Sequence, residues 1–292
     1  MKELVIISGK GGTGKTSMVS AIASLAQNKV LCDADVDAAD LHLIMAPEVI
    51  KSESFSGGSE AKIEKDKCTG CGLCLRLCRY EAISKDFTVD PIECEGCGVC
   101  YYFCPEKAIL FEQKINGEWF ISETRHGPMV HARLGIAEEN SGKLVTLVRK
   151  EAKRLAEEKG MELIITDGAP GVGCPVIASI GGASAVLIVT EPTVSGVHDM
   201  KRVAELASFF KVPAMVCVNK YDLNKEKTEE IKAFTKAHGD SYVGEIPFDP
   251  VFTRAMVAAK NIFEYAPDSD VCAEVANIWK RVSAQLGAEQ VI

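Results

Sequence analysis

The sequence predicts an α/β protein, a doubly wound and mostly parallel sheet interrupted by a small α+β insertion. Short apolar runs alternate with helical patterns over residues 1 to 45 and again over residues 141 to 290, the pattern of strands joined by helical crossovers. Between these stretches, eight of the twelve cysteines form two copies of one spacing. A small domain is therefore expected inside a larger one, with residues 58–112 inserted between 1–57 and 113–292.

Leu4 to Ile7 reads as the first strand, and Ser17 to Gln27 as a helix after a glycine-rich turn. Lys29 to Cys32 reads as the second strand. Ser52 to Glu60, rich in Ser and Gly, is expected to be a linker into the insertion. The insertion is an internal repeat, each half a cysteine run followed by a short apolar pair, Ala82-Ile83 and Ala108-Ile109. Phe111 to Ile115, Asn116-Gly117 and Glu118 to Ile121 then predict a hairpin with a tight turn. Residues 113 to 140 are otherwise the least patterned stretch. Neither Gly127 to Arg133 nor Glu138 to Lys143 is given a chemical role, and Ser141 suits a helix N-cap. Leu163 to Thr166 and Val216 to Val218 read as further buried strands. Val271, Val275, Ile278, Val282 and Leu286 mark a last helix facing the core.

Gly9-Lys10-Gly11-Gly12-Thr13-Gly14-Lys15-Thr16 fits G-x-x-x-x-G-K-[ST] between a strand and a helix, which is a P-loop in its proper context. Backbone N–H groups from Gly11, Gly12, Thr13, Gly14, Thr16 and Ser17 can cradle phosphates at the helix N-terminus. Lys15 would neutralise phosphate oxygens, and Thr16 would ligate Mg²⁺. Lys10, just after the first glycine, makes the loop resemble the deviant Walker A sequence of the MinD, ParA, Mrp and nitrogenase iron protein group. That resemblance implies an ATPase that forms a homodimer around two ATP molecules, with Lys10 reaching the partner's nucleotide. The alternative is a solvated loop lysine.

The resemblance extends over nearly the whole chain. Asp33-Ala-Asp35-Val-Asp37-Ala-Ala-Asp40 looks like the group's switch I, which implies that Asp35 orients the attacking water and that Asp33 and Asp37 border Mg²⁺. Asp167-Gly-Ala-Pro-Gly171 resembles switch II, with Asp167 holding Mg²⁺ through water and Gly171 sensing the γ-phosphate. Asn219 matches an adenine-recognising asparagine, and Ile246-Pro247-Phe248-Asp249 a loop that packs the base.

The cysteine runs are Cys68-x2-Cys71-x2-Cys74-x3-Cys78 and Cys94-x2-Cys97-x2-Cys100-x3-Cys104-Pro105. They resemble a two-cluster bacterial-type ferredoxin, in which the fourth cysteine of each run ligates the other cluster. Two [4Fe-4S] clusters are implied, one on Cys68, Cys71, Cys74 and Cys104, the other on Cys94, Cys97, Cys100 and Cys78. Zinc sites usually pair two C-x-x-C knuckles, whereas each run here supplies three close ligands plus a fourth, and disulfides need an oxidising compartment. Arg79 stands where the pattern usually has proline after Cys78. Cys174 follows Asp167 at the interval where the nitrogenase iron protein has a cluster ligand, but no second cysteine lies between Cys104 and Cys174, so a buried or redox-sensitive thiol is the favoured reading. Cys32, Cys217 and Cys272 fall in apolar patterns and read as core.

At 292 residues and 47% hydrophobic content, the chain can bury one large core and a small domain. A formal charge of -8 argues against nucleic acid and anionic membranes as general partners. The absence of a signal peptide or an 18-residue apolar run, together with so many reduced cysteines, predicts a cytoplasmic location. Three functions remain open. One is ATP-gated electron transfer from the clusters to a redox partner protein or metallocentre. The others are a cluster assembly or delivery ATPase resembling Mrp, and a positioning ATPase resembling MinD or ParA.

Overall fold

The chain begins with β1 (Lys2–Ile7), α1 (Lys15–Leu25), β2 (Lys29–Asp33) and a short α2 (Leu41–Met45). It continues through β3 (Glu48–Phe55), β4 (Gly58–Ile63), α3 (Leu73–Leu77), α4 (Val99–Phe103) and β5 (Ile109–Lys114). Next come β6 (Gly117–Thr124), β7 (Gly127–Leu134), α5 (Ser141–Lys159), β8 (Leu163–Asp167), α6 (Cys174–Ile180), β9 (Ala185–Thr190) and α7 (Val194–Phe209). The chain continues with β10 (Ala214–Asn219), α8 (Lys225–His238), β11 (Ser241–Ile246), α9 (Val251–Val257), α10 (Ile262–Tyr265) and α11 (Asp270–Leu286). This computed structural model describes residues 1–135 and 141–287. Glu138 to Asn140 and the side chain of Ser141, singled out in the sequence, lie outside the described residues.

Nine strands form one sheet in the order β11-β10-β9-β1-β8-β2-β7-β6-β3, and the pairings from β11 through to β7 are parallel. Its central strands are apolar along their whole length because helices cover both faces. Alternation then sorts the residues. Leu4 and Ile6 pack with Met18, Ile22, Val275 and Ile278 on one face, while Val5 and Ile7 pack with Val176, Val197, Met200 and Ile231 on the other. The five spaced residues of α11 are all at most 4% exposed, as a helix laid on the sheet requires. The fold is therefore mixed α/β with a large, mostly parallel sheet.

The described residues divide into two compact units. One contains residues 1–52, 119–132 and those from 141 onward; the other contains residues 53–118 with the segment that begins at Arg133. In the smaller unit β4 and β5 pair antiparallel, with Ile63 opposite Ile109 and Ala61 opposite Phe111. These side chains and Ile83 make a small apolar core against which six of the cysteines pack.

Two sequence expectations are corrected here. Ser52 to Glu60 is not a linker, since it spans the end of β3 and the start of β4 and breaks only at Ser56-Gly57. Nor do the strands around Asn116-Gly117 form a hairpin, because β5 pairs with β4 while β6 joins the large sheet. A tight type I′ turn needs positive φ at both central residues, and neither Asn116 nor Gly117 has it. Asn116 instead ties three segments together. Its N–H donates to the Phe55 carbonyl at 2.9 Å, its Oδ1 accepts from Gly57 N–H at 2.7 Å, and its carbonyl accepts from Gly135 N–H at 3.0 Å.

Strand β7, which the sequence left without structure, lies next to β2 and buries His131. Its Nε2 meets Ser122 Oγ at 2.9 Å and its ring stacks on Phe120. Burial, with His42 nearby, pushes the His131 pKa down to about 4. The folded value lies below the unfolded one of about 6.5, so the neutral ring's contribution is complete above that pH and is lost as pH falls toward 4. Acidification across that window is expected to cost on the order of 3 kcal/mol. Urea unfolding at a series of pH values should show His131→Gln to be less acid-sensitive by that amount; equal sensitivity would refute the assignment.

Candidate functional site

The strand ends of the large unit gather the P-loop residues. Gly14 has φ 90°, and a Cβ there would run into the Asn219 amide, so the turn into α1 requires glycine. The first residue of α1 is Lys15, which is 6% exposed. Its Nζ donates to Asp35 Oδ2 at 3.1 Å and to Asp167 Oδ1. Burial alone would lower its pKa, but Asp167 and Asp35 outweigh that and hold it above the ordinary lysine value. Asp33 and Asp167 end the paired strands β2 and β8, directly opposite each other in register.

Three carboxylates thus share one lysine. Burial, then Asp167, push the Asp33 pKa well above the usual carboxylate range, with Lys15 opposing. Burial raises Asp35 too, again with Lys15 opposing. Asp33 Oδ1 accepts from Asp35 N–H at 3.2 Å, while Asp33 Oδ2 is buried with no hydrogen-bond partner, as is Thr13 Oγ1. An orphaned carboxylate oxygen in a pocket short of positive charge fits a hard divalent cation, and so do the oxygen donors of Asp33, Asp35, Asp167 and Thr16. Among the described residues no group of three or more His, Cys, Asp or Glu side chains forms a ready-made single-ion site.

Other expected residues meet partners that the sequence did not indicate. Lys10 Nζ pairs with Glu191 at 2.5 Å and donates to Thr193 Oγ1 at 3.3 Å and Ser195 Oγ at 3.2 Å. Lys220 pairs with the same glutamate at 3.2 Å. Although burial opposes it, the two lysines hold the Glu191 pKa below its ordinary value. Gly171, with φ 92°, donates its N–H to the Ser8 carbonyl at 2.9 Å. Asn219 Nδ2 donates to the Thr13 carbonyl at 2.8 Å. Pro247 is half-buried beside Phe248, whose N–H donates to Asp222 Oδ1 at 2.7 Å. Asp37 is exposed, and Thr16 is half-buried in the first turn of α1. Glu191 and Lys220 belong to no motif of the loop; only the strand order brings them to it.

The smaller unit holds the cysteine runs in two open cavities. One, of about 340 Å³, is lined by Cys68, Cys71, Cys74 and Cys104 together with Ile63, Phe87 and Ile109. The other, of about 380 Å³, is lined by Cys78, Cys94, Cys97 and Cys100 together with Tyr80, Ile83 and Phe111. Each cavity therefore draws three cysteines from one run and the fourth from the other. The repeat is also in the backbone, since Gly70, Gly72, Gly96 and Gly98 all have positive φ and Gly72 and Gly98 begin α3 and α4. Burial pushes the Cys100 pKa up to about 11, with Cys94, Cys97 and Cys78 adding to the rise. Burial likewise raises Cys74. Ala108 N–H donates to Cys104 Sγ at 3.3 Å. Four cysteine side chains around a mainly apolar hollow would suit an iron–sulfur cubane.

Of the remaining cysteines, Cys32, Cys217 and Cys272 are buried, whereas Cys174 is exposed at the start of α6. Of the buried or redox-sensitive thiol expected at Cys174, burial is corrected, since the residue is exposed at the N-terminus of α6. Among the described residues no helix is long and apolar enough to cross a membrane.

A glycine-rich loop between β1 and α1, with carboxylates at neighbouring strand ends, defines a P-loop nucleotide-binding protein of the doubly wound class. The chain belongs to the CobQ/CobB/MinD/ParA nucleotide binding domain family, whose model matches residues 4–262. It is 37% identical over 232 residues to an uncharacterized protein of Methanocaldococcus jannaschii, MJ0578, covering 76% of this chain and 79% of that protein. A second uncharacterized protein of that organism, MJ0579, is 26% identical over 313 residues, covering 96% and 100%. In fold it is similar to the septum site-determining protein MinD of Pyrococcus horikoshii, solved with Mg-ADP, at a TM-score of 0.61 and 16% identity, covering 100% and 99%.

Proposed function

We propose that this chain is an ATP-hydrolysing switch that couples nucleotide-dependent pairing of two copies to electron transfer from two [4Fe-4S] clusters to a partner redox protein or metallocentre. The observation that carries this reading is the sorting of eight cysteines into two cavities, three from one run and the fourth from the other in each. That arrangement favours two neighbouring cubanes over isolated structural metals.

The chain's residues have definable tasks in this scheme. Thiolates of Cys68, Cys71, Cys74 and Cys104 would hold one cluster, and those of Cys78, Cys94, Cys97 and Cys100 the other, and each cluster would supply a one-electron store. Lys15 leaves Asp35 and Asp167 for the phosphate oxygens of ATP, and the carboxylates and Thr16 would hold Mg²⁺, whose charge would help neutralise the polyphosphate. Asp35 orients the attacking water. Lys10 gives up Glu191 to reach the nucleotide of the second copy. Gly171 must exchange the Ser8 carbonyl for a phosphate oxygen, which would make its loop report the nucleotide state.

Coupling has a measurable form. If ATP and ADP interact differently with oxidised and reduced clusters, the oxidation state must alter nucleotide affinity by the same factor. A coupling of about 1.4 kcal/mol equals a tenfold change in affinity or about 59 mV in a one-electron potential. Midpoint potentials measured with ADP, with a non-hydrolysable ATP analogue and without nucleotide are expected to differ by at least about that much. Identical potentials and affinities in all three states would favour cluster delivery or positioning over electron gating.

A further inference from the structure

Lys10 is held in its own chain by residues that follow β9. Its Nζ pairs with Glu191 Oε1 at 2.5 Å and donates to Thr193 Oγ1 at 3.3 Å and to Ser195 Oγ at 3.2 Å. The turn that carries these three acceptors is tightly built. Thr193 N–H donates to the Glu191 carbonyl at 2.8 Å, and Thr193 Oγ1 caps α7 by accepting the Gly196 N–H at 3.0 Å. A Cβ on Gly196 would come within 2.2 Å of the Glu191 carbonyl oxygen, so the turn closes this far only with glycine there. The loop is fixed from its own side as well, since a Cβ on Gly9 would lie 2.3 Å from the Asp199 Cβ in α7. The residue before Lys10 and the cradle of its ammonium are thus packed on the same helix.

The carboxylate divides its two oxygens between two lysines. Oε1 takes Lys10, and Oε2 takes Lys220 Nζ at 3.2 Å, whose ammonium also donates to the Gly12 carbonyl. With its side chain only 13% exposed, Glu191 would be costly to leave unpaired. Lys220 lowers that cost, because Glu191 keeps one cation after Lys10 departs. Lys10 is therefore held but releasable. An ammonium committed to three acceptors in its own chain has no hydrogen left for a phosphate of another copy. Two copies related by a twofold axis must each release one such lysine, so the cost of release enters their association twice.

We propose that Glu191, Thr193 and Ser195 form an autoinhibitory resting site for Lys10, which sets how readily two copies pair on ATP. This inference rests on the proposed ATP-dependent pairing and adds its regulation. Glu191 acts through Lys10 and is a positioning residue.

The test is the dimer dissociation constant of the full chain, measured by sedimentation with Mg²⁺ and a non-hydrolysable ATP analogue, for the unaltered chain, Glu191→Gln, Lys220→Met and the double variant. Glutamine keeps the shape of the side chain but not its charge. Glu191→Gln should therefore tighten pairing by about threefold to thirtyfold, which is twice the free energy of one partly exposed ion pair. Lys220→Met removes the cation that Glu191 keeps when Lys10 departs, and should weaken pairing by at least about threefold. In the Glu191→Gln background the same change should weaken pairing by at least about threefold less, whereas loss of the Gly12 contact alone would act equally in both backgrounds. Pairing unchanged or weakened by Glu191→Gln, or a Lys220→Met effect independent of residue 191, would overturn the proposal. No nucleotide-dependent pairing in any of the four chains would instead remove the pairing reading, and this inference with it.

Discussion

Replacing Lys15 with alanine is expected to lower ATP turnover by about two to three orders of magnitude and to destabilise the nucleotide-free protein by about 3–5 kcal/mol. The first effect follows from losing a preorganised positive charge at the phosphates. The second follows from the geometry, in which Lys15 bonds to both Asp35 and Asp167 while a buried oxygen of Asp33 has no hydrogen-bond partner. Removing one member of a buried ionic group leaves the others uncompensated, which costs far more than deleting a surface pair. The pH dependence has a definite sign. Asp33 and Asp35 already bind protons more readily in the folded chain than ordinary carboxylates do, and without Lys15 they would do so over a wider range. Between the unfolded value near 3.9 and the raised folded values, the native state holds more protons, so stability falls as pH rises. The deficit of Lys15→Ala should therefore shrink as the solution is acidified toward pH 4.

Lys10→Ala provides the contrast. Lys10 Nζ is partly solvated and pairs with Glu191 at the surface of the loop, so its loss should change stability by no more than about 0.5 kcal/mol. Turnover should nevertheless be abolished while the single copy still binds nucleotide. Thermal unfolding across pH, together with phosphate release, checks both variants. A Lys15→Ala protein of unaltered stability at neutral pH would show that the carboxylates are not held as ions by that lysine. Full activity in Lys10→Ala would remove its role at a second copy's nucleotide.

Anaerobic reconstitution is expected to load about eight iron atoms per chain, four for each cysteine set. The proposed crossing of the fourth ligand makes the double variants diagnostic. Cys78→Ser should cost about four irons, and adding Cys94→Ser should cost no more, since both line one cavity. Adding Cys74→Ser to Cys78→Ser should remove the rest, although these two residues are neighbours in the same run and line different cavities. Iron analysis with electron paramagnetic resonance of the reduced protein reads both outcomes. If ligands followed the runs, the two double variants would exchange results. Metal removal should also loosen the smaller unit, because Ala61, Ile63, Ile83 and Ile109 are too small a core to hold some sixty residues without further ties. Hydrogen exchange of β4 and β5 amides before and after chelation measures this.

The motifs were legible because their chemistry is local. Gly9 to Thr16 and each cysteine run confine their meaning to about ten residues, and the apolar runs of β1, β2, β8 and β10 announce buried parallel strands by composition alone. The helix at Val271 to Leu286 is similarly plain from its spacing. What lacked a strong periodic signal was misread or left blank. β3 is exposed at seven of its eight residues and therefore has no apolar pattern, so its Ser-rich end reads as a linker in the sequence. The Asn116-Gly117 pair carries a turn signal that the tertiary structure overrides, because β5 finds its partner in β4 and Asn116 bonds to Phe55, Gly57 and Gly135 instead of closing a hairpin.

The sequence by itself determined the class of fold, the phosphate loop and the cysteine spacing, since each depends on residues close together in the chain. Only the tertiary structure decided which charges meet. Lys15 meets a carboxylate 152 positions away, and Lys220 reaches a loop carbonyl 208 positions away. Those encounters depend on β8 lying between β1 and β2, and β9 between β1 and β10, in the middle of the sheet. Strand order is a cooperative outcome of packing both faces at once, and no short segment of sequence carries it.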